Sequence, residues 1–146
     1  MIIEIFYTTM NAKPKLSGSV VAGFPSPAEQ YMEPPLDLNE LLVKRPAATY
    51  FVRVSGDSMT GAGINDGDIL VVDRSLRPAD GDIIIACVDG DFTVKRLRER
   101  GTGNGEQDLK PKVWLEPANP NYSSITIGEE HELDYFGKVT ACIHKF

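Results

Sequence analysis

The chain has 146 residues, a formal net charge of -6 and 42% hydrophobic residues, enough for one hydrophobic core and one domain with tails. The negative balance excludes tight, sequence-independent binding to nucleic acid, because no cationic excess exists to displace counterions from phosphates; any role near DNA is expected to run through a protein partner. No stretch approaches the ~20 apolar residues that span a bilayer, and MIIEIFYTTM carries Glu4 in its apolar run without a basic leader, so a cytoplasmic protein without a membrane partner is expected.

In chain order, Met1 to about Gly23 shows no clear period and passes through the linker-like KPKLSGS, which reads as a flexible N-terminal arm. It ends in SVVAGFPSPAEQY, where Ala22 and Gly23 leave a peptide bond uncovered and Pro25 and Pro27 keep the following backbone extended. By itself this is either a linker or a bond presented for cutting. In LDLNELLVKRP, Asp37 and Glu40 have capping-box spacing and Pro46 forbids continuation, which predicts one helix of about two turns.

After Pro46 the sequence reads as β-structure: TYFVRVSG, DILVVD, DIIIACVDGDFTVKRL, KVWLEP, SITI and DYFGKVTACIHKF are β-branched or aromatic runs separated by Gly, Asp, Asn and Pro. The expected fold is mainly β, a mostly antiparallel barrel or sandwich with one short helix. Asp89-Gly90 signals a type I′ hairpin, whose two-residue loop pairs Val88 with Asp91, Cys87 with Phe92, Ala86 with Thr93, Ile85 with Val94 and Ile84 with Lys95. Thr93, Lys95 and Leu97 then share one face. RERGTGNGEQDLKPK, with its glycines from Gly101 to Gly105, is expected to be a long hairpin tip.

Cys87 and Cys142 sit among apolar neighbours and are expected to be small buried hydrophobes rather than a disulfide or metal pair. His131 and His144 lack metal-ligand spacing, so neither a metal nor another cofactor is expected.

Ser58, in VSGDSMTGAGINDGD, follows a strand and is flanked by Gly56, Gly61 and Gly63. Such a serine presents its hydroxyl beside free backbone N–H groups, as an acyl-transfer nucleophile requires, but Asp and Ser are also habitual turn residues. Neither histidine has a context that suggests a base, which leaves lysine. Lys13, Lys15, Lys44, Lys110, Lys112 and Lys145 lie in arm, tip or terminal contexts; Lys95 interrupts an apolar strand, where burial would favour the neutral amine. An edge-strand lysine snorkelling to water fits the same pattern.

SGDSM at Ser55 to Met59, DGD at Asp66 to Asp68, GDIIIACVDGDFTVKRL and LEPANPNY at Leu115 to Tyr122 resemble the LexA/UmuD family of self-cleaving serine peptidases, closest to the UmuD-type SOS mutagenesis proteins. The resemblance covers roughly Val20 to Phe146. It implies the fold of the LexA/UmuD C-terminal domain over residues 24–146, preceded by a cleavable arm over residues 1–23. It further implies Ser58 as nucleophile, Lys95 as general base, and the backbone of Gly56, Asp57, Ser58 and Met59 as oxyanion and loop support. The bond to be cut is then Ala22-Gly23.

The implied protein is a bacterial, cytoplasmic homodimer, stimulated by a RecA filament on single-stranded DNA. Its trimmed form serves a UmuC-like error-prone translesion polymerase. The glycine-rich tip, Ser124 where a proline is common, and alanine rather than cysteine at the scissile position depart from the nearest pattern, and the arm is too short for a helix-turn-helix. A non-catalytic interaction module of the same fold, or a LexA-like or signal-peptidase-like protease acting on other chains, remains as the alternative.

Overall fold

The computed structural model describes Ala22, Gly23, residues 36–101 and residues 112–146. Most of the arm, the FPSPAEQY segment and residues 102–111 of the glycine-rich tip lie outside the described residues. Two units divide the chain, residues 7–44 and a larger one that carries Arg45–Phe146. In the smaller, Ala22 and Gly23 are exposed, and Asp37 begins α1 (Leu38–Leu42) by accepting from Asn39 N at 3.0 Å. The helix has five residues where about two turns are expected from the sequence. Val43 leaves helical geometry with φ -112° and ψ 89°, and its β-branched side chain gives helix propagation little support.

The larger unit opens on a 3-10 turn at Pro46–Ala48, where proline occupies a first-turn position that needs no N–H. Seven strands follow: β1 (Thr49–Arg53), β2 (Ile69–Asp73), β3 (Ile83–Val88), β4 (Asp91–Arg100), β5 (Lys112–Glu116), β6 (Ile125–Ile127) and β7 (Leu133–Ile143). They form one antiparallel sheet in the order β1-β2-β7-β3-β4-β5-β6, so the fold is mainly β with one short α-helix, and the sheet is not closed. Among the described residues no helix is long and apolar enough to cross a membrane.

The β3–β4 hairpin takes the register expected from Asp89-Gly90. Ile84 faces Lys95, Ile85 faces Val94, Ala86 faces Thr93, Cys87 faces Phe92 and Val88 faces Asp91. Asp89 has φ 50° and Gly90 φ 88°, the left-handed pair that a type I′ turn demands. Both faces of β3 are buried. Ile85 and Val94 join Val52, Met59, Leu70 and Val72 in one apolar cluster, while Ile84 and Ala86 join Leu97 and Leu115 in a second. The unbroken apolar run of this strand records burial on two sides rather than one.

β7 is the long strand that joins the halves, pairing with β2 and with β3, and it does so through two bulges. Its register shifts between Val71 and Val72 on one neighbour and between Ile85 and Ala86 on the other. Gly137 lies at the second shift, where a Cβ would stand 2.6 Å from Val72 Cγ1 and 3.1 Å from Asp73 O. The buried packing there cannot yield without moving the strand. Gly137→Ala is therefore expected to cost about 1–3 kcal/mol of stability, visible as a lower denaturant midpoint; an unchanged midpoint would refute the close packing.

Cys87 and Cys142 depart from the expectation of two buried hydrophobes: both are free thiols, Cys87 is half-buried and Cys142 exposed. Cys142 lies where β7 has run past β3 and pairs with β2 alone, so one side of it is uncovered. Its sulfur donates to the buried Asp68 carboxylate at 3.4 Å. Local desolvation and that contact push the thiol up to about 11. Asp68 also accepts from Asn65 N at 2.8 Å and from His144 Nδ1. Burial works against its charge, but these bonds hold its carboxyl below the usual value.

Candidate active site

The chain leaving β1 is clasped before it reaches Ser58. Val54 N donates to Asp68 O at 2.8 Å, Gly67 N donates to Val54 O at 2.8 Å, and Gly56 N donates to Asp66 Oδ1 at 2.7 Å. The Asp66-Gly67-Asp68 turn thus fixes the approach to the serine. Gly56, expected among the oxyanion and support residues, spends its N–H on Asp66 and belongs to the support.

A second clasp comes from the loop after β5. Ala118 N donates to Ser58 O at 2.8 Å, and Gly61 N donates to Ala118 O at 2.6 Å. Asn119 Nδ2 donates to Asp57 O at 2.9 Å, and the Tyr122 hydroxyl donates to Asp57 Oδ1. Met59, only 2% exposed, anchors the same segment in the first apolar cluster. Ser58 is consequently held on both sides. No local pattern around the serine signals the second clasp, because its partners lie some sixty residues away.

β1 and β4 are separated in the sheet by β2, β7 and β3. Four strand spacings of about 4.8 Å make roughly 19 Å, whereas the five residues from Arg53 to Ser58 reach at most about 17 Å. The loop after β1 and the long lysine side chain together span that distance. Lys95 Nζ stands 2.9 Å from Ser58 Oγ, 2.9 Å from Thr93 Oγ1 and 3.1 Å from Val94 O.

β4 lies between β3 and β5 rather than at an edge, and Lys95 is 8% exposed. The snorkelling alternative is thereby removed. Burial pushes its pKa down from the ordinary lysine value, since taking an ammonium out of water disfavours the charged form. Lys138, on β7, is half-buried too, but it pairs with Asp82 Oδ1 at 3.1 Å. Lys44, Lys112 and Lys145 are exposed.

The three contacts of Lys95 have a chemical meaning. A neutral amine has two N–H donors and one lone pair. In that neutral form Val94 O and Thr93 Oγ1 would take the two donors, and the lone pair would be left for the Ser58 hydroxyl. Thr93 is an addition to the residues expected at the site, although its shared face with Lys95 follows from strand alternation.

A cleft of about 180 Å³ opens over the pair, lined by Val54, Asp57, Met59, Phe92, Val94 and Tyr122 among others. Phe92 and Tyr122 are 39% and 46% exposed. Among the described residues no group of three or more His, Cys, Asp or Glu side chains is placed to hold a metal ion. The arrangement offers a hydroxyl, a buried amine beside it and a partly apolar cleft.

The chain is similar to known proteins over most of its length. The Peptidase S24-like family model matches residues 14–140. Protein SamA of Salmonella typhimurium is 51% identical over 124 residues, spanning 85% of this chain and 79% of SamA. Protein MucA of Escherichia coli is 44% identical over 122 residues, spanning 83% of this chain and 77% of MucA. The LexA repressor of Acidithiobacillus ferrooxidans is 43% identical over 114 residues, spanning 77% of this chain but 51% of the repressor.

Proposed function

Because the chain belongs to the Peptidase S24-like family, we propose that it is a self-processing serine peptidase that cuts its own Ala22–Gly23 bond with Ser58 as nucleophile and Lys95 as general base. The observation that carries this reading is the 2.9 Å approach of Lys95 Nζ to Ser58 Oγ by a lysine that is buried and, among the described residues, pairs with no carboxylate.

Neutral Lys95 takes the Ser58 proton as Oγ attacks the Ala22 carbonyl carbon, and the carbonyl oxygen becomes an oxyanion. Backbone N–H groups of Asp57, Ser58 and Met59 are the donors closest to hand for it. Collapse of the tetrahedral intermediate breaks the Ala22–Gly23 bond, and the proton on Lys95 passes to the departing Gly23 amine. The Ala22 acyl group is left on Ser58. Water then attacks the ester, Lys95 takes and returns its proton, and Ser58 is regenerated as residues 1–22 depart.

The biological setting follows from the UmuD-type resemblance: an SOS mutagenesis protein of the bacterial cytoplasm, acting as a homodimer, whose trimmed form serves a UmuC-like translesion polymerase. Slow cleavage until a RecA filament binds is a population shift in this reading, with the filament favouring a sparsely occupied conformer that presents the bond. Adding RecA on single-stranded DNA is expected to raise the rate of appearance of the Gly23-started fragment by at least about tenfold, a barrier change of ~1.4 kcal/mol. Mass spectrometry of timed samples reads it. An equal rate with and without the filament would remove this regulation from the proposal.

A further inference from the structure

Asp57 carries a carboxylate on the residue next to the nucleophile, yet among the described residues no carboxylate acts on Lys95: its hydrogen bonds go to Ser58, Thr93 and Val94, and desolvation lowers its pKa. The Asp57 carboxylate accepts instead from the hydroxyl of Tyr122, a residue sixty-five positions away on the loop after β5. The same loop holds the Asp57 carbonyl through Asn119 Nδ2 at 2.9 Å. Asp57, Tyr122 and Lys95 are the titratable groups that line the cleft. From β3, the residue facing Lys95 is Ile84. Asp66, the other acid of the nucleophile loop, is engaged with Gly56 N.

We infer that Tyr122 is a positioning residue that keeps the Asp57 carboxylate turned away from the Ser58–Lys95 pair, and so sets the pH at which Lys95 changes from acid to base. The inference rests on the dyad reading above. Its physical basis is that an anion close to a buried amine stabilises the ammonium. Once the hydroxyl is gone, rotation of the exposed Asp57 side chain is free to bring its charge toward Nζ. The contact with Asp57 also raises the Tyr122 phenol above its usual value, which favours the donor form of its hydroxyl.

The test is an NMR titration of the Lys95 side chain in the full chain, comparing wild type, Tyr122→Phe, Asp57→Asn and the double variant. Tyr122→Phe keeps the ring that lines the cleft and removes only the donor. It is expected to move the Lys95 midpoint upward by about 0.5–1 pH unit, a partly screened charge effect, while the double variant returns to the midpoint of Asp57→Asn.

A Tyr122→Phe midpoint equal to wild type, or a double variant shifted as far as Tyr122→Phe alone, overturns the inference. The pH–rate midpoint of cleavage is expected to move in parallel, by about three- to tenfold in rate at a fixed pH below it. If the chain never cuts itself but the Lys95 midpoint moves as stated, the proposed function fails and the positioning role of Tyr122 stands.

Discussion

Ser58→Ala is expected to leave the Ala22–Gly23 bond intact, and Lys95→Ala to slow its cleavage by at least about 10³-fold, the loss typical when one member of a nucleophile–base unit is removed. Both follow from geometry. Without Oγ there is no atom to carry the Ala22 acyl group; without Nζ, Ser58 has no group to take its proton, since the hydroxyl's one side-chain base is the amine 2.9 Å away. The combined variant is expected to be no slower than the worse of the two, because residues acting as a unit fail together. Circular dichroism and the denaturant midpoint of each variant show whether the sheet is intact, so loss of cleavage is read as loss of chemistry.

The second large effect is on pH. In the proposed mechanism self-cleavage requires neutral Lys95, so its rate is expected to rise about tenfold per pH unit and level off at the folded-state pKa, which burial places below 10.5. The sign for stability is the same. In the unfolded chain Lys95 is solvated and protonates at its ordinary value, while the folded protein binds that proton less tightly. The unfolded state therefore holds more protons between the two pKa values, and stability rises with pH across that window. Below the folded pKa the buried ammonium is a fixed cost of keeping a base at the site. A rate independent of pH would exclude Lys95 as the base even if Ser58 proved essential.

How much of the fold and the site is legible in the chain depends on the range of the interaction. The β3–β4 register follows from two residues, because Asp89-Gly90 admits one tight turn and alternation does the rest. The same register puts Lys95 opposite Ile84, so the sequence alone marks it as an unusual lysine. Helix α1 is shorter than its sequence suggests because capping-box spacing fixes where a helix starts and says little about how soon Val43 ends it. Cys142 is more exposed than its apolar neighbours in sequence suggest, because they do not reveal that β3 ends before reaching it.

The clasp on Ser58 shows the deeper limit. Asp66 and Asp68 are within a dozen residues of the serine, and their glycine-flanked pattern marks a turn, but Ala118, Asn119 and Tyr122 meet the nucleophile loop only after β5 has been placed. Likewise, Ser58 and Lys95 are each unusual by local pattern, while their meeting depends on the loop that carries Ser58 from β1 to β4. Tertiary geometry turns two ambiguous residues into one chemical unit.

The central claim is tested most directly by incubating the purified full chain alone at mildly alkaline pH and determining the masses and the new N-terminus of whatever forms. The account predicts a fragment that begins at Gly23, a companion of residues 1–22, and neither from Ser58→Ala. A chain that stays intact at every pH, or one cut elsewhere or cut equally well without Ser58, would contradict it.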